Sequence, residues 1–187
     1  MSVPTEQHRG RVLLPIARAA IARALHIPQT ADETASWLAE FGACFVTLTQ
    51  SGELRGCIGT LQAHRSLLDD VKSNAVSAAF RDPRFAPLSA EELGMTAVEI
   101  SLLSPTQAME VRHEADALAQ LRAGVDGVVF EYRHFRSTFL PQVWEQLTQP
   151  HQFMAQLKRK AGLPGDFWAE GIRLSRYTVT KWREQDD

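Results

Sequence analysis

The sequence is short of several things, and each shortage removes a class of protein. It has two cysteines, Cys44 and Cys57, in 187 residues, a count that fits a reducing compartment better than a disulfide framework. Neither sign of charge is in excess: 20 Lys and Arg stand against 22 Asp and Glu, a formal net charge of −2. No global field therefore draws the chain to nucleic acid or to an anionic membrane. Long apolar runs are missing too. The most apolar early stretch, Val12 to Leu25, is interrupted by Arg18 and Arg23 and is too short and too charged to span a bilayer. The opening MSVPTEQHRG lacks the basic start, apolar run and small-residue cleavage site of a signal peptide. A soluble cytoplasmic protein is expected.

Familiar signatures are absent as well. There is no GxSxG, no P-loop and no GxGxxG. Six histidines, at 8, 26, 64, 113, 134 and 151, form neither HxH nor HxxxH. No metal site is readable by spacing, and no cofactor is named. No internal repeat, long linker or low-complexity tract divides the chain, so 1–187 reads as one domain, with room for a smaller subdomain whose boundary is not readable.

What is present is an ordinary globular balance, 44% hydrophobic and 22% charged. A chain of this length buries roughly 70% of its unfolded surface, enough for a core without metal or disulfide. Arg11 to His26 has helical spacing and is closed by Pro28. Thr30 to Glu33 has capping-box form ahead of Trp37, Leu38 and Phe41. CFVTLTQ from Cys44, the turn QSGE and LRGCIGTL read as a β-hairpin. Ser66 and Asp69 open a helix that Pro83 stops, and Ser89 with Glu92 marks another capped turn. AVEISLL is a strand, Glu114 to Leu121 a short helix, and GVDGVVFEY pairs with FRSTFL across Arg133 and His134. Helices follow from Pro141 and Pro150, the second ending in Lys158, Arg159, Lys160 and Gly162. IRLSRYTVTKW from Ile172 is a final strand. Strands in hairpin-like pairs with unevenly inserted helices predict an α+β fold with an antiparallel sheet.

The chemistry gathers at LRGCIGTL. Side chains alternate along a strand, so Arg55, Cys57 and Gly59 share one face if the strand is regular. A cation beside a thiol favours the thiolate, the nucleophilic form. Gly56 and Gly59 leave space for a ligand or another backbone. The alternative is a buried cysteine acting as a small hydrophobe beside a glycine bulge. Cys44, without such neighbours, reads as core. In VEISLL, Glu99 and Ser101 face away from Val98, Ile100 and Leu102, so Glu99 is either solvated or held in a site. Arg55, Cys57, Glu99 and Ser101 are expected to converge on one sheet face. In FRDPRF, Arg81 and Arg84 either bind an anionic ligand or pair with Asp82 and satisfy helix-end carbonyls.

With LRGCIGTL at 54–61, FRDPRF at 80–85, VEISLLSP at 98–105, GVDGVVFEY at 124–132, TFLPQVWEQL at 138–147, FMAQLKRKAGLP at 153–164 and RYT at 176–178 in this order, the chain resembles the AMMECR-type domain family over nearly its whole length. The resemblance implies an antiparallel sheet flanked by helices, a smaller subdomain making a cleft, and the company of a Memo-like protein and a radical SAM protein. It supplies no reaction. Two readings follow. In one, a small-molecule-binding or catalytic cleft centres on Cys57, with Arg55 activating the thiol and holding an anionic group, and Glu99 as general acid or base. In the other, the chain is an accessory subunit that does no chemistry and docks through the helices around Trp144 and Phe153. Nucleic-acid binding has no basic stripe to support it.

Overall fold

The computed structural model describes residues 6–184. Residues 1–5, read above for a targeting segment, and residues 185–187 lie outside the described residues. The chain divides into two compact units: the residues up to Leu103 together with Thr180 onward, and the smaller Ser104–Val179. Each unit has its own antiparallel sheet and its own apolar core. The α+β expectation holds, with two sheets where one was read.

The first unit opens with α1 (Glu6–Ala24). It stops well before Pro28. His26 adopts φ 60°, its N–H donates to the Arg23 carbonyl, and the Ile27 N–H donates to that of Ala22. This left-handed cap satisfies the last carbonyls, so no proline is needed. The Thr30 capping box does not form. Asp32 bonds Thr34 instead, Glu33 pairs with Lys72, and Ser36–Ala39 is a single 3-10 turn. The hairpin is as expected: β1 (Ala43–Gln50) and β2 (Glu53–Gly59) meet through Ser51 and Gly52, both at positive φ. Then come α2 (Leu67–Phe80), capped by the Ser66 side chain, α3 (Ala90–Leu93) with a complete capping box, and β3 (Thr96–Leu103).

The second unit holds β4 (Gln107–Met109), α4 (Glu114–Gln120), β5 (Gly127–Tyr132), β6 (Phe135–Phe139), a 3-10 segment over Pro141–Glu145, α5 (Pro150–Lys160) and β7 (Arg173–Tyr177). β8 (Val179–Arg183) returns to the first unit. The expected single strand from Ile172 is thus two. It breaks at Thr178, whose carbonyl accepts from the Ser104 N–H and whose own N–H donates to Ser104 Oγ. On either side of that residue the chain serves different sheets, ordered β2-β1-β3-β8 and β4-β7-β5-β6.

In the first sheet, Cys44, Val46 and Leu48 of β1 and Val98 and Ile100 of β3 are fully buried in one cluster with the apolar residues of α1 and α2. The alternate residues, Phe45, Thr47, Thr49, Glu99 and Ser101, lie on the face away from those helices. Arg18 of α1 bonds Glu184 after β8, while the Trp182 ring fills the space above Gly10.

Candidate functional site

β1 is the pivot of the site. Thr47 pairs with Cys57 of β2 on one side and with Glu99 of β3 on the other. Residues opposite one another in a sheet share a face, so a thiol, a hydroxyl and a carboxylate stand in one row. Phe45 heads the next row, between Gly59 and Ser101. The Cys57 N–H points out of the sheet, to Asp82, so Cys57 and Thr47 form the closer, non-hydrogen-bonded kind of pair. Thr47 Oγ1 donates to Cys57 Sγ at 3.4 Å. Cys57 and Glu99 are two strand spacings apart, roughly 10 Å between backbones. Both are half-buried, and Ser101 is buried. Among the described residues Glu99 has no hydrogen bond or ion pair.

Arg55 does not stand beside the thiol, and the reason is a bulge. The β1–β2 register slips between Leu48 and Thr49, leaving Arg55 as the extra residue. Its Nε and Nη2 fork onto Glu92 at 3.0 and 3.2 Å, where Gln50 also donates. Arg55, the Ser89 N–H and Gln50 together hold the Glu92 carboxyl at about 2. Arg55 Nη1 is buried without a hydrogen-bond partner.

The glycines make room for the protein itself. A Cβ at Gly56 would lie 2.2 Å from the Ala78 carbonyl oxygen of α2, and one at Gly59 would lie 2.2 Å from the Phe45 ring. Of the two occupants expected for the cleared space, a ligand or another backbone, the second is found at Gly56, and at Gly59 an aromatic ring fills it.

FRDPRF closes the outer edge. β2 is an edge strand, and the outward polar groups of Cys57 meet side chains in place of another strand. Asp82 Oδ2 accepts from the Cys57 N–H at 2.9 Å, and Arg84 Nη2 reaches the Cys57 carbonyl at 3.5 Å. Arg84 forks onto Asp82 at 2.7 and 3.0 Å. That pairing, with the Cys57 and Arg84 N–H bonds, keeps the Asp82 carboxyl well below the usual range. Arg84 is pushed up, first by Asp82 and to a lesser degree by the charge of Cys57. The Arg81 side chain is exposed and has no partner among the described residues, while its N–H caps the Ser77 carbonyl.

Sequence reasoning missed Thr47 and the full role of Asp82. Counting back from the two-residue turn sets Val46 opposite Cys57; only the bulge brings Thr47 there. Also missed was Asp70, fully buried behind β1, which accepts from the Cys44 N–H, Thr60 Oγ1, Arg65 and Asn74. Cys44 is core, as read, and burial followed by the Asp70 charge pushes its thiol up.

In the second unit the motif residues pack against one another. Trp144 and Phe153 stack at 3.9 Å between ring centroids and are buried, so the two rings themselves offer no exposed surface for docking. Buried Asp126 is forked by Arg122, and its carbonyl accepts from Trp144 Nε1. The Tyr177 ring lies where a Cβ at Gly127 would be. Lys158 is fully buried, donating to Glu114 and to the Phe167 carbonyl. A groove of about 720 Å³ beside β4 and α4, lined in part by Glu110, Arg112, Asp116 and Gln120, holds none of the expected site residues. Among the described residues no three His, Cys, Asp or Glu side chains gather as a metal ion requires.

Comparison with known proteins covers both units. The AMMECR1 family model matches residues 14–182. A protein of Methanothermobacter thermautotrophicus is 36% identical over 189 residues, 97% of each chain. Protein MJ0810 of Methanocaldococcus jannaschii is 39% identical over 145 residues, 75% of this chain and 72% of that one. The crystal structure of an uncharacterized protein, PH0010 from Pyrococcus horikoshii, superposes with a TM-score of 0.77 at 30% identity, covering 94% of this chain and 91% of that one.

Proposed function

This chain belongs to the AMMECR1 family, matched over residues 14–182, and on that premise we propose that the row of Cys57, Thr47 and Glu99 is a small-molecule site, binding or catalytic. The observation that carries the reading is Glu99. A half-buried carboxylate in mid-strand with no protein partner among the described residues is open to a bound donor. Subtraction supports it. Arg55 serves Glu92, Gly56 admits α2, Gly59 admits Phe45, and Asp82 serves the Cys57 main chain. The thiol, the carboxylate and the exposed Arg81 are what these motifs leave without a packing task.

Chemically the row offers a nucleophile, a hydroxyl that moves or holds a proton, and an acid–base group. With Arg55 turned to Glu92, Glu99 is the unpaired charge of this row, while Arg183 of β8 reaches the same face of the sheet at Thr49 Oγ1, 3.0 Å away. The ligand therefore presents N–H or O–H donors to Glu99, and Ser101 in the adjoining row lends a second hydroxyl. Arg55, the cation first expected to hold an anionic ligand, is not part of this row. The family resemblance adds Memo-like and radical SAM proteins as the company in which the site acts.

Native mass spectrometry of freshly purified protein tests this. A mass carried by the wild type and lost in both Cys57→Ala and Glu99→Gln supports the site. Identical spectra for the three proteins, in the presence of a library of small amines and polyols, refute it.

A further inference from the structure

We infer that the Asp82–Arg84 pair sets the charge that the Cys57 thiol works against, Arg84 supplying positive charge and Asp82 holding it in check. This rests on the reading of the Cys57 row as a site, and it assigns FRDPRF a role in regulating that site.

The geometry singles out this pair. Both of its members bond the main chain of Cys57 itself, Asp82 at the N–H and Arg84 at the carbonyl, at 2.9 and 3.5 Å. Arg55, the other candidate cation, is committed to Glu92 through a two-pronged contact. The pair is lopsided in exposure. The Asp82 side chain is 2% exposed and that of Arg84 is 54% exposed. Solvent therefore screens the cation more than the anion. While both are present their charges oppose one another near the thiol, the less screened carboxylate weighing more. Removing either leaves the other uncompensated beside the edge of β2.

Thiols react with alkylating agents as thiolates, which positive charge nearby favours and negative charge disfavours. The consequence is a pair of opposite signs. Asp82→Asn frees the Arg84 charge and speeds alkylation of Cys57 by about three- to tenfold, the scale of a unit charge acting over a few ångströms in a partly solvated setting. Arg84→Gln leaves a bare carboxylate and slows it by about the same factor. Arg84→Lys keeps the charge without the fork and stays within about twofold of wild type. A clamp that only braces the strand gives a different pattern: any break in it loosens β2, and every variant changes in one direction.

The measurement is the second-order rate of iodoacetamide modification at Cys57, followed by peptide mass spectrometry at neutral pH. Cys44, fully buried, is the internal control, because its labelling reports unfolding in the same sample. Should Asp82→Asn label at Cys44, the comparison of Arg84→Gln with Arg84→Lys decides alone, since Arg84 is half exposed. Opposite shifts, or a slow Arg84→Gln beside a near-normal Arg84→Lys, support the inference. Shifts in one direction, no shifts, or Arg84→Lys matching Arg84→Gln overturn it. Alkylation needs no natural ligand, so its outcome is independent of the mass-spectrometric test of the site. Loss of the ligand result with opposite shifts intact refutes the site and leaves the charge pair standing.

Discussion

Replacing Gly56 with alanine separates a glycine kept for packing from a glycine kept for a ligand. The added methyl would sit 2.2 Å from the Ala78 carbonyl oxygen, about 1 Å inside ordinary contact. Little can yield. Ala78 belongs to α2, whose Val71, Ala75 and Ala78 are buried in the core cluster shared with β1 and β3, so the whole helix must lift. Overpacking of this kind costs about 1–3 kcal/mol, and a rigid backbone neighbour places Gly56→Ala at the upper end. The lower chain entropy of alanine offsets about 0.5–1 kcal/mol. The net is a loss of about 2 kcal/mol, or about 4–8 °C in melting temperature for a chain of this size. Gly59→Ala is the control. Its methyl meets the Phe45 ring at the same 2.2 Å, but that half-buried side chain swings aside, so the net cost stays within about 1 kcal/mol. Differential scanning calorimetry gives the melting temperatures, and hydrogen exchange across β1 and α2 locates the loss. A Gly56→Ala protein that melts with the wild type but no longer retains ligand refutes the packing account.

Two further expectations concern ion pairs. Glu92 is held at about 2 against an ordinary 4.5, chiefly by Arg55. Because its folded value is depressed, its contribution to stability is complete above the unfolded value and is lost as pH falls from 4.5 through 2. Glu92→Gln therefore flattens the acid limb of the first unit's stability profile in that window, and an unchanged slope in acid urea titrations contradicts it. In the second unit the buried Lys158 and the 30%-exposed Glu114 respond unequally. Lys158→Met leaves a carboxylate that water reaches and costs little. Glu114→Ala strands an ammonium in the interior and costs about 3–5 kcal/mol. Equal losses in urea unfolding rule this out.

Local rules carried the sequence reading as far as local causes reach. The hairpin from Cys44, the Ser66 and Ser89 caps and the side-chain alternation in VEISLL all rest on near neighbours, and each is present. The face shared by Cys57, Glu99 and Ser101 was legible for the same reason. Arg55 was not, because one extra residue in a strand reverses the face of what precedes it, and nothing in LRGCIGTL marks the slip. The two glycines were legible as cleared space, but what fills the space comes from Ala78 and Phe45, one of them on a distant helix. The break at Thr178 was hidden because RLSRY and VTKWR carry one continuous strand pattern. Only the partners differ.

That break has a consequence for synthesis. Ser104–Val179 begins and ends at neighbouring points, joined by the Ser104–Thr178 hydrogen bonds, so this stretch can close on itself as it leaves the ribosome. The half translated first cannot. Its fourth strand, and the Glu184 that anchors Arg18, emerge only after the whole insertion has been made. The part of the chain that is translated earliest is therefore the part that matures last, and until then β3 waits with one side open to the wrong neighbour.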